Sequence, residues 1–320
     1  MQFLLTICFL LASPILWAHG VHGTGAGRQY QKPDTDFWSI FIPSTEAAIT
    51  HMDIDEKLGL RIIDSDGLPN HKTGAFPNAH NPNHIEEQYY QFKVPLHPQK
   101  AAHTTPLNHA DFGVALNGVP FDPESAEFWN GNRDWNEEAM SPDVNLGLDS
   151  NNAHVQPTGA YHYHGMPIGF VDKYNYRSTP VMIGYAADGF PIYTPYAQDV
   201  NGQKKTLRSS YRLKTGQRPS PPNGPGGTYN GLYSNDYEFV SGAGDLDQCN
   251  GRTAVTADFP QGIYYYVITQ DFPFIPRCWV GTADASFRKG PPTGNRRGIG
   301  PQGPGMNGPM GMRPPPPRRF

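Results

Sequence analysis

The stretch VMIGYAADGFPIYTPY, residues 181–196, decides the fold. Two runs rich in β-branched and aromatic residues, Val181–Ala186 and Phe190–Tyr196, flank Ala187-Asp188-Gly189. An Asp-Gly pair between such runs predicts a hairpin. Other strand signals lie on either side. Gly262–Thr269 (GIYYYVIT) is the strongest single one, and Tyr89–Val94 (YYQFKV) alternates until Pro95 ends it. Phe112–Gly118 (FGVALNG) reads as a strand closing on Asn-Gly, and Leu60–Ile63 is a short apolar run before the turn signal Asp66-Gly67. Asn201-Gly202 predicts a second hairpin turn, leading into Lys204–Leu213. Residues 69–84 and 215–230 are too dense in Pro, Gly and Asn for regular structure. Pro123–Met140 has room for one or two short helical turns, with Pro123 near the first helical position. The pattern predicts an all-β or β-rich α+β fold of antiparallel sheets and hairpins with long Pro/Gly/Asn-rich loops.

The ends differ in kind from this body. Phe3–Ala18 is apolar except for Thr6 and Ser13. It is shorter than the ~20 residues a bilayer span needs, Pro14 interrupts it, and Ala18 is a small residue suited to cleavage. No Lys or Arg precedes the run, a departure from the usual pattern. Residues 1–18 are therefore expected to be a signal peptide, with the chain secreted, extracellular and without a membrane span. Residues 19–35 read as a flexible lead-in, 36–287 as the folded domain, and 288–320 as a disordered basic tail rich in Gly, Pro, Met and Arg.

The tail carries seven basic residues and no acidic one, whereas residues 1–287 hold 18 basic against 29 acidic side chains, a net of −11. An acidic extracellular body argues against nucleic acid as a partner. Of three cysteines, Cys8 leaves with the signal peptide. Cys249 and Cys278 remain, and an oxidising compartment predicts a disulfide between them. The rival reading, two thiolate metal ligands, has a spacing too long for a CxxC-type site.

The segment with the most chemistry is Asn151–Pro167, NNAHVQPTGAYHYHGMP. On a strand, His162 and His164 share one face and Tyr161 and Tyr163 the other. Two imidazoles so placed can ligate one metal ion. His154 precedes them, and Pro157 and Gly159 let the chain turn back, so a third ligand is geometrically available. Three histidines suit Zn or Cu. The alternative is that the His-x-His strand hydrogen-bonds carboxylates across a sheet, and the sequence leaves both open. His19, as a mature N-terminus, offers a weaker copper reading, since Gly20, Gly23, Gly25 and Gly27 follow it. His71, His80, His84, His97, His103 and His109 read as hydrogen-bonding groups of loops. No Gly-x-Ser-x-Gly or phosphate loop is present, so catalytic residues are unknown.

Gly159–Pro167 (GAYHYHGMP) resembles the motif that names the YHYH domain family. Arg61–Pro82, Gly113–Val119, Gly184–Tyr193, Gly244–Gly251 and Phe259–Trp279 are similar to further stretches of it, covering about residues 55–287. The resemblance implies one secreted domain whose biochemical activity is largely unestablished. Three functions follow as expectations. The first is a structural or interaction component of an extracellular matrix, mineralised or not, its partners being matrix components or a mineral surface. The second is an extracellular Zn- or Cu-binding protein using His154, His162 and His164. The third is a metal-dependent enzyme at the same residues. The first ranks ahead because no complete catalytic constellation can be written down.

Overall fold

The computed structural model describes residues 50–198 and 201–290. The expected signal peptide, the lead-in with His19, residues 36–49 of the expected domain, and the tail from 291 onward lie outside the described residues. The strands run in the order β1 (Thr50–Asp55), β2 (Leu60–Ser65), β3 (Tyr90–Pro95), β4 (Thr105–Pro106), β5 (Gly113–Ala115), β6 (Pro120–Phe121), β7 (Ala153–Val155), β8 (Tyr161–Tyr163), β9 (Met182–Ala186), β10 (Pro191–Tyr193), β11 (Tyr196–Gln198), β12 (Lys204–Thr206), β13 (Tyr211–Leu213), β14 (Tyr237–Phe239), β15 (Gly251–Ala254), β16 (Ile263–Val267) and β17 (Cys278–Trp279). The only α-helix among the described residues is the single turn Ile168–Val171. The β-rich expectation therefore holds.

Eight strands form the central sheet in the order β15-β16-β10-β9-β5-β6-β8-β7, and β1-β2-β3 form a second sheet. The hairpin expected at 181–196 is β9–β10, with Pro191 opposite Tyr185. The turn expected at Asn201-Gly202 joins β11 to β12, which pair antiparallel. Two pairings of the central sheet, β6 with β8 and β10 with β16, are parallel. The sheet is thus mixed, because long loops return the chain to it where hairpins would impose antiparallel order.

The central sheet is buried on both faces, which explains its aromatic, weakly alternating sequence. On β16, Tyr264 and Tyr266 join the main core with Phe112, Phe121 and Tyr163, while Tyr265 and Val267 face a smaller cluster with Tyr193 and Leu207. The hairpin turn is buried as well. Asp188 accepts hydrogen bonds from Tyr266 Oη at 2.6 Å and Gly281 N at 2.9 Å. Gly189 has φ +94°, and a Cβ there would approach the Pro95 carbonyl oxygen to 2.5 Å, so both conformation and space require glycine. In the second sheet, β1 is one of the two edges among the described strands, and Met52 and Ile54 are exposed on it.

Two expectations shift. The helical turns foreseen within Pro123–Met140 are short 3-10 turns at Trp129–Gly131 and Arg133–Trp135, the second capped by the Asn132 side chain. The sequence also starts the tail at 288. In the structure Arg288 bridges to Ala110, and the Lys289 ammonium pairs with Asp122 and, at 3.6 Å, with Asp111. The two buried carboxylates thereby have an ammonium beside them, drawn from just past the expected start of the tail.

Cys249 and Cys278 form the expected disulfide, with Cα atoms 5.1 Å apart. It closes a loop of 29 residues and ties the start of β15 to β17. In the chain-entropy description a loop of that length contributes about 3.5 kcal/mol. Replacing both cysteines, Cys249→Ser with Cys278→Ser, should lower Tm by about 10 °C, read by thermal unfolding of the two proteins side by side.

Candidate metal centre

The centre is built by β7, β8 and the tight connection between them. Gln156 N donates to Ala160 O at 3.0 Å and Gly159 N to Gln156 O at 2.9 Å. Gly159 closes this turn at φ +85°, and a Cβ there would meet Glu86 at 2.5 Å. The turn sets β7 and β8 in a register that puts His154 directly opposite His162. His164 N donates to Asn152 O at 2.7 Å, which extends the pairing past β8. Period two then does the rest. Tyr161 and Tyr163 enter the core with no exposed surface, and the three imidazoles gather on the opposite face.

The Nε2 atoms of His162 and His164 are 3.0 Å apart, and those of His164 and His154 are 3.1 Å apart. Two of the rings have their outer nitrogens committed. His154 Nδ1–H donates to Leu146 O at 2.9 Å and His162 Nδ1–H to Ala160 O at 3.1 Å. That tautomer leaves both Nε2 atoms as bare lone pairs aimed at His164. One proton on His164 Nε2 can serve only one of them, so one of these close contacts has no proton to share. His164 Nδ1 is itself buried without a hydrogen-bond partner.

Extra protons do not relieve the crowding. Burial, helped by the neighbouring His154, lowers His162 to about 3 despite the nearby Asp122 carboxylate. Burial and then the other two imidazoles hold His164 well below its ordinary value, and burial lowers His154 as well. Three neutral rings with convergent nitrogens are a donor set that could hold a transition-metal ion, with backbone carbonyls fixing the orientation of two of them. The described residues hold one such cluster, and its ligand atoms all lie within 4.8 Å of one another. The other reading of the sequence, a His-x-His strand bonded to carboxylates across the sheet, is not what the strands do. The cross-strand partner of His162 is His154, and the carboxylate of Asp122 is 3.9 Å from His162 Nε2, beyond hydrogen-bond reach.

Several neighbours were not legible beforehand. Asp122 follows β6 and is buried; its carboxylate accepts from Gln156 Nε2 at 3.1 Å and Glu124 N at 3.1 Å and pairs with Lys289. Burial alone would raise its pKa, but the Lys289 charge, His162 and the hydrogen bonds from Lys289 and Glu124 N together outweigh that and lower it. On the tyrosine face, Tyr161 Oη donates to Asp149 Oδ2 at 2.8 Å, and Tyr163 Oη lies 2.6 Å from His71 Nε2. Asp149 also accepts from Gly74 N at 2.9 Å and Asn151 N at 2.8 Å, so one carboxylate ties the loop at residue 74 to the back of the histidine strand. His71 is the loop hydrogen-bonding group the sequence suggested. His80, His84, His97 and His103 are exposed, and His109 pairs with Glu124 at 2.7 Å on the surface.

A family model described as YHYH protein matches residues 91–281. The match includes His154, His162, His164, Asp122 and both cysteines, and begins after the 61–82 segment. No curated protein matches the chain, and no solved structure does.

Asp149→Ala should destabilise the fold by about 2–4 kcal/mol, because four donors, two of them backbone amides, lose their acceptor. Tyr161→Phe, which removes the donation to Asp149 and a 3.3 Å bond accepted from Asn151 Nδ2, should cost about 1–2 kcal/mol. Urea unfolding of the two variants against the wild type measures both.

Proposed function

The chain belongs to the YHYH family, and we propose that in this member the two histidines of that string, together with His154, hold a divalent zinc or copper ion outside the cell. The observation that carries this reading is the convergence of three Nε2 lone pairs with too few protons to separate them. A zinc ion with bonds of ~2.0–2.1 Å sets its tetrahedral ligands about 3.3 Å apart. Two of the separations here, 3.0 and 3.1 Å, are already close to that, and the whole set lies within 4.8 Å. His162 and His164 are 3 % and 2 % exposed, which favours an ion that is retained over a centre that turns over a bulky substrate. Binding is therefore the reading, and catalysis is not part of it.

A matrix or mineral-surface role is compatible with the same centre. Its support is charge: Asp53, Glu86 and Glu87 are exposed on and beside the β1–β3 sheet, within a body whose net charge is −11 through residue 287. Retention in the insoluble or mineral-bound fraction of the source material is the expected result, and recovery as freely soluble protein alone removes that role.

Metal analysis of protein purified without a histidine tag tests the centre. The wild type should carry close to one zinc or copper ion per chain, and His162→Ala/His164→Ala almost none, with unchanged far-UV circular dichroism. Equal content in the two proteins, or none in either, overturns the proposal.

A further inference from the structure

Asp122 stands between two cations' claims. One oxygen, Oδ2, lies 3.9 Å from His162 Nε2 and is also the atom paired with the Lys289 ammonium. The carboxylate is 2 % exposed, so it cannot draw on water for a second counter-charge. Lys289 comes from the far end of the described chain, 167 residues later in sequence, and is held beside the site by this ion pair, by Asp111 at 3.6 Å and by the Arg288–Ala110 bridge. Without a bound ion, the ammonium supplies the positive charge that Asp122 needs. Three neutral imidazoles supply none.

We infer that a metal ion in the tri-histidine site and the Lys289 ammonium compete for the Asp122 carboxylate, so that filling the site loosens the C-terminal end of the domain. This rests on the metal-centre reading above and adds its regulation. The physical reasoning is a matter of sign. A divalent ion held by the three Nε2 atoms brings two positive charges beside the carboxylate that Lys289 already neutralises. In a buried site of low effective dielectric, the ammonium and the ion repel strongly, while both are attracted to Asp122. The ion has three ligands besides, whereas Lys289 has the second carboxylate of Asp111 to retreat to, and its side chain is 27 % exposed, with a path to water. Lys289 is therefore the partner that yields. Gln156, which also holds Asp122 Oδ2, sits in the turn that joins the two histidine strands, so the carboxylate is anchored to the site side when the lysine leaves.

The test is a competition titration of zinc against a chromophoric chelator, using the full secreted chain. Lys289→Met should bind at least about tenfold more tightly than the wild type, since a repelling charge is gone and Asp122 is free. Lys289→Arg, which keeps the charge, should bind like the wild type. Asp122→Asn should bind at least about tenfold more weakly. In a second readout, zinc should speed tryptic cleavage after Lys289 in the wild type, followed by mass spectrometry. If Lys289→Met binds zinc no more tightly than the wild type, or zinc leaves the cleavage rate unchanged, the competition is overturned while the centre stands. If the wild type binds no zinc and no copper, the centre falls and this inference with it.

Discussion

A strand can send alternate side chains in only two directions, and the string Tyr161-His162-Tyr163-His164 spends that constraint on both of its needs at once. The phenol rings fill the core against Phe76 and Phe121, and the imidazoles are forced to the other side as a pair. Everything nearby follows from this division. The turn at Gly159 must be tight enough to bring His154 opposite His162. Asp149 and His71 must satisfy the phenol hydroxyls behind, since a buried hydroxyl without a partner costs roughly as much as the ring's packing gains over a smaller one. The parallel pairing of β6 with β8 then delivers Asp122 to the imidazole side, next to Phe121, which is paired with Tyr163.

The charges around the centre are arranged as opposed pairs. Asp122 and Asp111 share Lys289, and the buried Glu138 meets Arg277. Both cations reach the site from the last stretch of the described domain, while the acids come from the 111–138 region. Such pairs give little net stability once desolvation is counted. What they do is fix where the chain end must lie for the acids to have a cationic partner. The neutral imidazoles in their midst form the one part of this polar interior whose own groups leave a close contact without a proton.

Much of the sheet was legible because its signals are local. The Asp188-Gly189 hairpin, the aromatic run at 262–269 and the Tyr/His alternation each depend on a few adjacent residues. The cysteine pairing followed from counting. The histidine cluster was legible as a geometric option, because a turn between His154 and His162 could be foreseen. Its closure was not, since whether the rings meet one another or carboxylates depends on which strand lies alongside. The parallel pairings were also hidden, because no turn joins their strands. Asp122 and Lys289 gave no signal at all. One sits in a Phe-Asp-Pro sequence that reads as a loop, and the other in a basic, proline-rich context that reads as the start of a tail. Their meeting spans 167 residues, and only the folded chain brings them together.

The exposed edge strand β1 brings a hazard of its own. An edge, among the described strands, bearing the exposed Met52 and Ile54 is a template on which another chain could add a strand. Its sequence, THMDID, interleaves those two apolar residues with His51, Asp53 and Asp55. An incoming strand would have to bury carboxylates at every second position or place its own charges against them. The same acidity that gives the body its net charge thus works locally as a guard against fibril growth, keeping a β-rich chain from templating copies of itself.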